Sequence, residues 1–131
     1  MQFRNKYYFL SNMFPCKITY NGLIYNSIES AFQAQKDLSK SKEFINLNGY
    51  DAKKLGRKVN LRPDWDNVKL NIMKELLTIK FSDKKLADLL KQINTPIIED
   101  NTWGDTYWGV CNGIGENHLG KLLMEIQSTL T

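Results

Sequence analysis

Between Trp103 and Lys121 the chain reads WGDTYWGVCNGIGENHLGK, and no other stretch limits the possible folds as strongly. It holds two of the three tryptophans and four loop glycines, Gly104, Gly109, Gly113 and Gly115, with the turn formers Asp105, Asn112 and Asn117 among them. No apolar periodicity runs through it before Leu119, so it reads as a long loop. Glycines at this density let backbone N–H groups approach a ligand with no Cβ in the way. Asn117 reads as the N-cap of a closing helix, whose positive end would suit a phosphate or pyrophosphate. The plainer reading is a structural loop whose tryptophans plug the core. Long loops in small domains are more often functional.

The remainder of the chain must supply a core around that loop. At 131 residues, 42% hydrophobic and 24% charged, the expectation is one globular domain over residues 1–131 with no internal boundary. A net charge of +4 suits an anionic ligand without marking a nucleic-acid protein. Cys16 and Cys111 lie far apart and His118 is the single histidine, so no metal-ligand spacing is present and no metal or cofactor is expected. The chain opens MQFRNKYYF, without a basic-then-apolar leader, and has no membrane-spanning apolar run. A cytoplasmic location, away from membranes, is the expectation.

Taken in order, Phe3–Phe9 reads as a short edge strand and Phe9–Pro15 as a loop carrying Ser11 and Asn12. Lys17–Tyr20 and Leu23–Tyr25 flank Asn21-Gly22, the favoured type I′ pair, which predicts a hairpin. A helix follows from about Ser27 to Leu38, opened by Asn26 with Glu29 three residues on, a capping-box spacing. Offsets of three and four put Glu29, Phe32, Gln33 and Lys36 along one wall of it. Glu29 as a mere cap and Lys36 as a solvated amine are the ordinary alternatives.

A short helix is expected over Lys40–Leu47, then another over Ala52–Lys58 capped by Asp51, with the basic residues Lys53, Lys54, Arg57, Lys58 and Arg62 around it. Lys53 and Lys54 read as a solvated face, whereas Arg57 and Arg62 have a fork geometry suited to phosphate. Asp64 would cap the longest helix, Trp65–Phe81, with Trp65, Val68, Ile72, Leu76 and Ile79 as its core stripe. Helices at Lys84–Ile93 and His118–Leu130, and a brief strand at Ile97–Glu99, complete a mainly α fold with a small β element (α+β).

Known chemistries can be tested against the loop. Gly113-x-Gly115 is followed by His118 where a dinucleotide fingerprint needs its third glycine, no strand immediately precedes it, and the P-loop lysine signature is missing. A Cys111–His118 nucleophile pair has no supporting spacing. What remains are the carboxylates Glu29, Glu99 and Asp105, the amine of Lys36, and the aromatic plates Trp103, Tyr107 and Trp108. Carboxylates beside aromatics suit glycosidic bonds: one acid protonates a leaving group, and another group stabilises a cationic sugar carbon or activates water. A tryptophan can stack on the base.

Across almost its whole length the sequence resembles the YbiA-like, or NADAR, domain family. The residues that carry this are FLSNMFP at 9–15, IESAFQAQK at 28–36, Leu55-Gly56-Arg57, Arg62-Pro63-Asp64-Trp65, Met73 and Lys80-Phe81. Glu99, Asp105 with Trp108-Gly109, Gly113 with Gly115 and Asn117, and LGKLLM at 119–124 continue the match in order. Two departures are Ser30, where many relatives have histidine, and Cys111, where many have glycine.

The resemblance implies a mostly helical domain with a small β element and a metal-independent N-glycosidase. Substrates in the family join ribose C1 to nitrogen: a phosphoribosylamino-pyrimidine of riboflavin synthesis, or ADP-ribosylated guanine, free or in nucleic acid. By the same resemblance Glu29 takes the acid/base role, and Asp105 orients ribose hydroxyls or supports the acid. Lys36 either captures the opened ribose aldehyde or holds charge. Phe32 and Trp108 would wall the base, and Asn12, Arg57 and Asn117 would hold ribose or phosphate. Trp65, Gly109 and Gly115 complete the substrate-binding set. A non-catalytic ADP-ribose or nucleotide reader is the alternative, and a nucleic-acid binder using Lys53–Arg62 with Trp65 a third, which predicts steep salt dependence.

Overall fold

The computed structural model describes residues 1–131. Their contacts fall into two compact units, Asn12–Lys80, and Met1–Ser11 together with Phe81–Thr131. The fold is mainly α with a small β element, as the residue patterns require.

The unit Asn12–Lys80 begins with a hairpin, β1 (Ile18–Tyr20) and β2 (Leu23–Tyr25), paired antiparallel with Ile18 opposite Tyr25. Asn21 and Gly22 have φ of 48° and 81°, the two positive values a type I′ turn demands. Helix α1 (Ile28–Ala34) is shorter than expected and has a different cap. Ser27, not Asn26, is the N-cap, and its hydroxyl accepts from Ser30 N. The capping box does not form; Glu29 accepts instead from the Gln33 amide one turn on.

A 3-10 helix follows (Leu38–Phe44), capped by Asp37. Helix α2 (Gly49–Gly56) is capped by Asn48, which accepts from Asp51 N, so Asp51 sits inside the helix rather than at its cap. Helix α3 (Trp65–Lys80) is the longest. The Asp64 carboxylate just before it accepts a fork of bonds from Arg62 at 2.6 and 3.0 Å. The core of this unit gathers Ile18, Tyr25, Ile28, Phe32, Phe44, Trp65, Ile72, Met73, Leu76 and Leu77. Val68 and Ile79, expected in the stripe, are only half-buried.

In the other unit the expected strand at 3–9 is instead a 3-10 helix (Asn5–Leu10). Its backbone bonds are local, Tyr7 N to Arg4 O and Ser11 N to Tyr8 O, and they close turns that a strand would have to open. Helix α4 (Lys84–Lys91) starts at Asp83, whose carboxylate accepts from Leu86 N. Strands β3 (Asp100–Asn101) and β4 (Val110–Cys111) pair in parallel, slightly later than the strand expected at Ile97–Glu99. Helix α5 (His118–Thr129) closes the chain and buries Leu119, Leu123 and Ile126. Its Gln127 amide donates to Leu90 O and Ile93 O, tying it to the end of α4. No helix is long and apolar enough to cross a membrane.

Candidate active site

In the unit Asn12–Lys80 the fold gathers Asn12, Glu29, Phe32, Lys36 and Trp65 around α1. Glu29 N donates to Asn12 O at 2.9 Å, which fixes the loop before β1 against the first turn of the helix. The carboxylate of Glu29, 9% exposed, accepts from Gln33 Nε2 at 2.8 Å. Asn12 Nδ2 rests on Met73 Sδ at 3.8 Å, while its Oδ1 is buried without a hydrogen-bond partner. Gly49 opens α2 at this point: a Cβ there would overlap Met13 Sδ and press on Glu29 Cβ. The helix therefore approaches Met13 and the base of the Glu29 side chain more closely than a residue with a Cβ would allow.

Lys36 follows α1, and its backbone is held by Gln33 O and Arg62 N. Its amine lies over the Trp65 ring, 5.8 Å from the centroid, and Trp65 in turn packs on Phe32 at 4.9 Å. Burial holds the pKa of Lys36 below the ordinary lysine value, the charge of Glu29 opposes that, and Arg57, Lys53 and Lys69 reinforce it. An acid and an amine thus feel each other across an aromatic corner. Arg57 caps the end of α2 and is exposed. Arg62 is engaged by Asp64, which removes it from the pair of arginines expected to be open to phosphate. Ser30 points away from this corner and donates to Phe44 O at 2.6 Å.

In the other unit, Asp105, Trp108, Gly109, Gly115 and Asn117 build one knot. Asp105 Oδ1 accepts from Tyr107 N and Trp108 N, the pattern of an Asx turn. Asn101 receives Asp105 N and donates to both Asp105 O and Glu99 Oε1. A Cβ at Gly109 would overlap Glu99 and Asn101, and one at Gly115 would overlap Gly109 O. Both glycines are needed for close approach.

Asn117 is the N-cap residue of α5, as expected, but its side chain does not cap the helix. It has φ 55° and ψ 40° and uses its buried amide to bridge Ile97 O and Glu99 N. The start of α5 is also not an open anion site. His118 N donates to Tyr107 O, Leu119 N to Trp108 O, Asn117 N to Gly109 O and Glu116 N to Thr106 O. Those amides face loop carbonyls, so the expected phosphate cradle is replaced by a backbone zipper. Trp103 is 59% exposed and plugs no core, whereas Trp108 is half-buried, edge-on to Tyr107 at 4.9 Å. No group of three or more His, Cys, Asp or Glu side chains has the arrangement of a metal site.

Two residues outside the expected site set become prominent in this geometry. Gln33 was legible as part of the Glu29 wall, but its 5% exposure was not. Lys80, on the last turn of α3, is 2% exposed, with its amine 5.3 Å from the Phe14 ring centroid. Nothing in a helix's terminal lysine announces burial.

A profile of the NADAR domain matches residues 1–131. The N-glycosidase YbiA of Escherichia coli is 35% identical over 127 residues, covering 92% of this chain and 79% of its own. An N-glycosidase of Nostoc punctiforme is 33% identical over 130 residues, covering 92% and 83%. A riboflavin biosynthesis protein of Vibrio vulnificus is 30% identical over 129 residues, which are 93% of this chain but only 35% of that longer protein. The NMR structure of E. coli YbiA superposes with a TM-score of 0.85 at 32% identity, over 99% of this chain and 83% of that one. Fold, full-length profile match and identity agree: the chain belongs to the NADAR domain family.

Proposed function

We propose that this protein is an N-glycosidase, a hydrolase that breaks the bond between a ribose carbon and a base nitrogen. The observation that carries the reading is the corner where the buried Glu29 carboxylate and the Lys36 amine meet the Trp65–Phe32 pair. The relatives named as N-glycosidases support the same reaction class.

In the reaction the C1′–N bond breaks with its electron pair on nitrogen. Water supplies hydroxyl to C1′, Glu29 takes the proton water loses, and the same proton goes on to the departing nitrogen. As a carboxylate, Glu29 also stabilises the cationic character that develops at C1′. After the base has left and the C1′ hemiacetal opens to the aldehyde, the Lys36 amine, whose neutral form burial favours, adds to C1′ with loss of water to give a Schiff base, and hydrolysis of that imine returns the amine and frees the sugar. Phe32 walls the base, Trp65 supports the amine, and Asn12 and Arg57 take ribose and phosphate. Asp105, Gly109, Gly115 and Asn117 act by shaping the loop that presents Trp108.

The substrate is a phosphorylated, nucleoside-like N-glycoside, either a phosphoribosylamino-pyrimidine or ADP-ribosylated guanine, handled in the cytoplasm by residues 1–131 acting as one domain. The test is incubation of purified protein, with EDTA present, with each substrate separately, followed by mass spectrometry for freed base and sugar phosphate. Cleavage of either one is expected, and which one identifies the branch. Cleavage of neither, with tight ADP-ribose binding by calorimetry, would replace the enzyme with a nucleotide reader.

A further inference from the structure

Gln33 is the polar side chain on the reactive wall of α1 that the reaction above leaves unused. Its Nε2 donates to Glu29 Oε1 at 2.8 Å, and its Oε1 is buried with no hydrogen-bond partner. That oxygen lies against Gly56, where an added Cβ would overlap it. An unpaired buried acceptor is costly, and a methionine or leucine would fill the same space without one. Rotating the amide offers no relief, because it would set oxygen against the Glu29 carboxylate. The one gain that this arrangement secures is a charge-assisted bond to Glu29.

We infer that Gln33 is the positioning residue of Glu29: it fixes the carboxylate's rotamer, and Gly56 is the gap in α2 that admits it. The inference rests on the N-glycosidase reading, in which Glu29 must act as a base and cation stabiliser. Charged groups at the same corner are Lys36 after α1, Lys53 and Arg57 from α2, and Lys69 from α3. None of them replaces the direction of the amide bond.

The experiment compares Gln33→Met, Gly56→Ala and their double variant with Glu29→Gln, using steady-state kinetics and melting curves. Each single change is expected to lower kcat about tenfold, the scale of one hydrogen bond to a charged group, with KM little altered. The double variant is expected to be no worse than Gln33→Met alone, because the methyl at 56 then has no amide to displace. A folded Gln33→Met with wild-type kcat, beside an inactive Glu29→Gln, overturns this inference and leaves the glycosidase reading standing. An active Glu29→Gln overturns the reading itself. The wild-type protein gives an independent readout: the Gln33 side-chain NH2 resonances should titrate with the acidic limb of kcat/KM, and stop doing so in Glu29→Gln. Resonances that stay fixed across that limb contradict the assignment whatever the variants do.

Discussion

Glu29 on α1 and Lys36 just beyond its C-cap fall on one side because they are seven positions apart, about two helical turns. That much is legible in IESAFQAQK. What the letters do not hold is where the carboxylate turns. The capping-box spacing from Asn26 to Glu29 suggested a backbone partner, yet Ser27 takes the cap and Glu29 turns to Gln33. A one-residue shift of the cap decides whether the carboxylate turns to the backbone or to Gln33, and the sequence spacing does not set it. Lys36 separates two chemistries experimentally. Lys36→Arg keeps the charge but loses the nucleophile, so turnover should fall by at least about a hundredfold. Borohydride added during turnover should leave a reduced sugar adduct on Lys36; an unmodified Lys36 and an active Lys36→Arg would reduce its part to charge. Asp105 is a matching case for structure. Asp105→Asn keeps an oxygen for Tyr107 N and Trp108 N, so its melting temperature should match wild type. Asp105→Ala should lose about 1 kcal/mol, as for a lost capping side chain. Equal losses in the two variants would contradict the turn-building role.

At the level of elements, the sequence was most informative where local chemistry suffices. Asn21-Gly22 defines its own turn, and Trp65, Ile72 and Leu76 of the α3 stripe are buried as their spacing predicts. It was least informative where a segment finds partners far along the chain. Asn117 is the N-cap of α5, but its side-chain amide serves residues 97 and 99. The first amides of α5 looked open to phosphate, but loop carbonyls from 106 to 109 take them. The glycine density of the loop therefore reports backbone crossing backbone as much as any ligand. Gly109→Ala should accordingly unfold the protein several degrees earlier, the effect of roughly 1–3 kcal/mol of overpacking against Glu99 and Asn101. Lys80 gives α3 a pH signature. Burial lowers its pKa to about 8 from an ordinary 10.5. The unfolded chain binds the extra proton between those values, so stability is lowest below about pH 8 and rises as pH climbs towards 10.5. The rise is on the order of 3 kcal/mol, and denaturant melts should show it flattened in Lys80→Met.

For the molecule as a whole, fold class was readable because helical stripes dominate the chain and the β element is one hairpin and a two-residue pairing. The family was readable because its motif residues recur in order from Phe9 to Met124. The net charge of +4 fits a phosphorylated substrate without distinguishing a free metabolite from a modified base in a strand. Salt would distinguish them: a free nucleotide-sized substrate should show a shallow salt dependence of KM, and a nucleic-acid substrate a steep one. The central claim is that the Glu29 corner breaks a C1′–N bond, and the most direct measurement is release of free base by wild type and Glu29→Gln at equal thermal stability. The account expects release by wild type and a loss of at least about a hundredfold in the variant, with substrate still bound. Near-wild-type release by Glu29→Gln would contradict it.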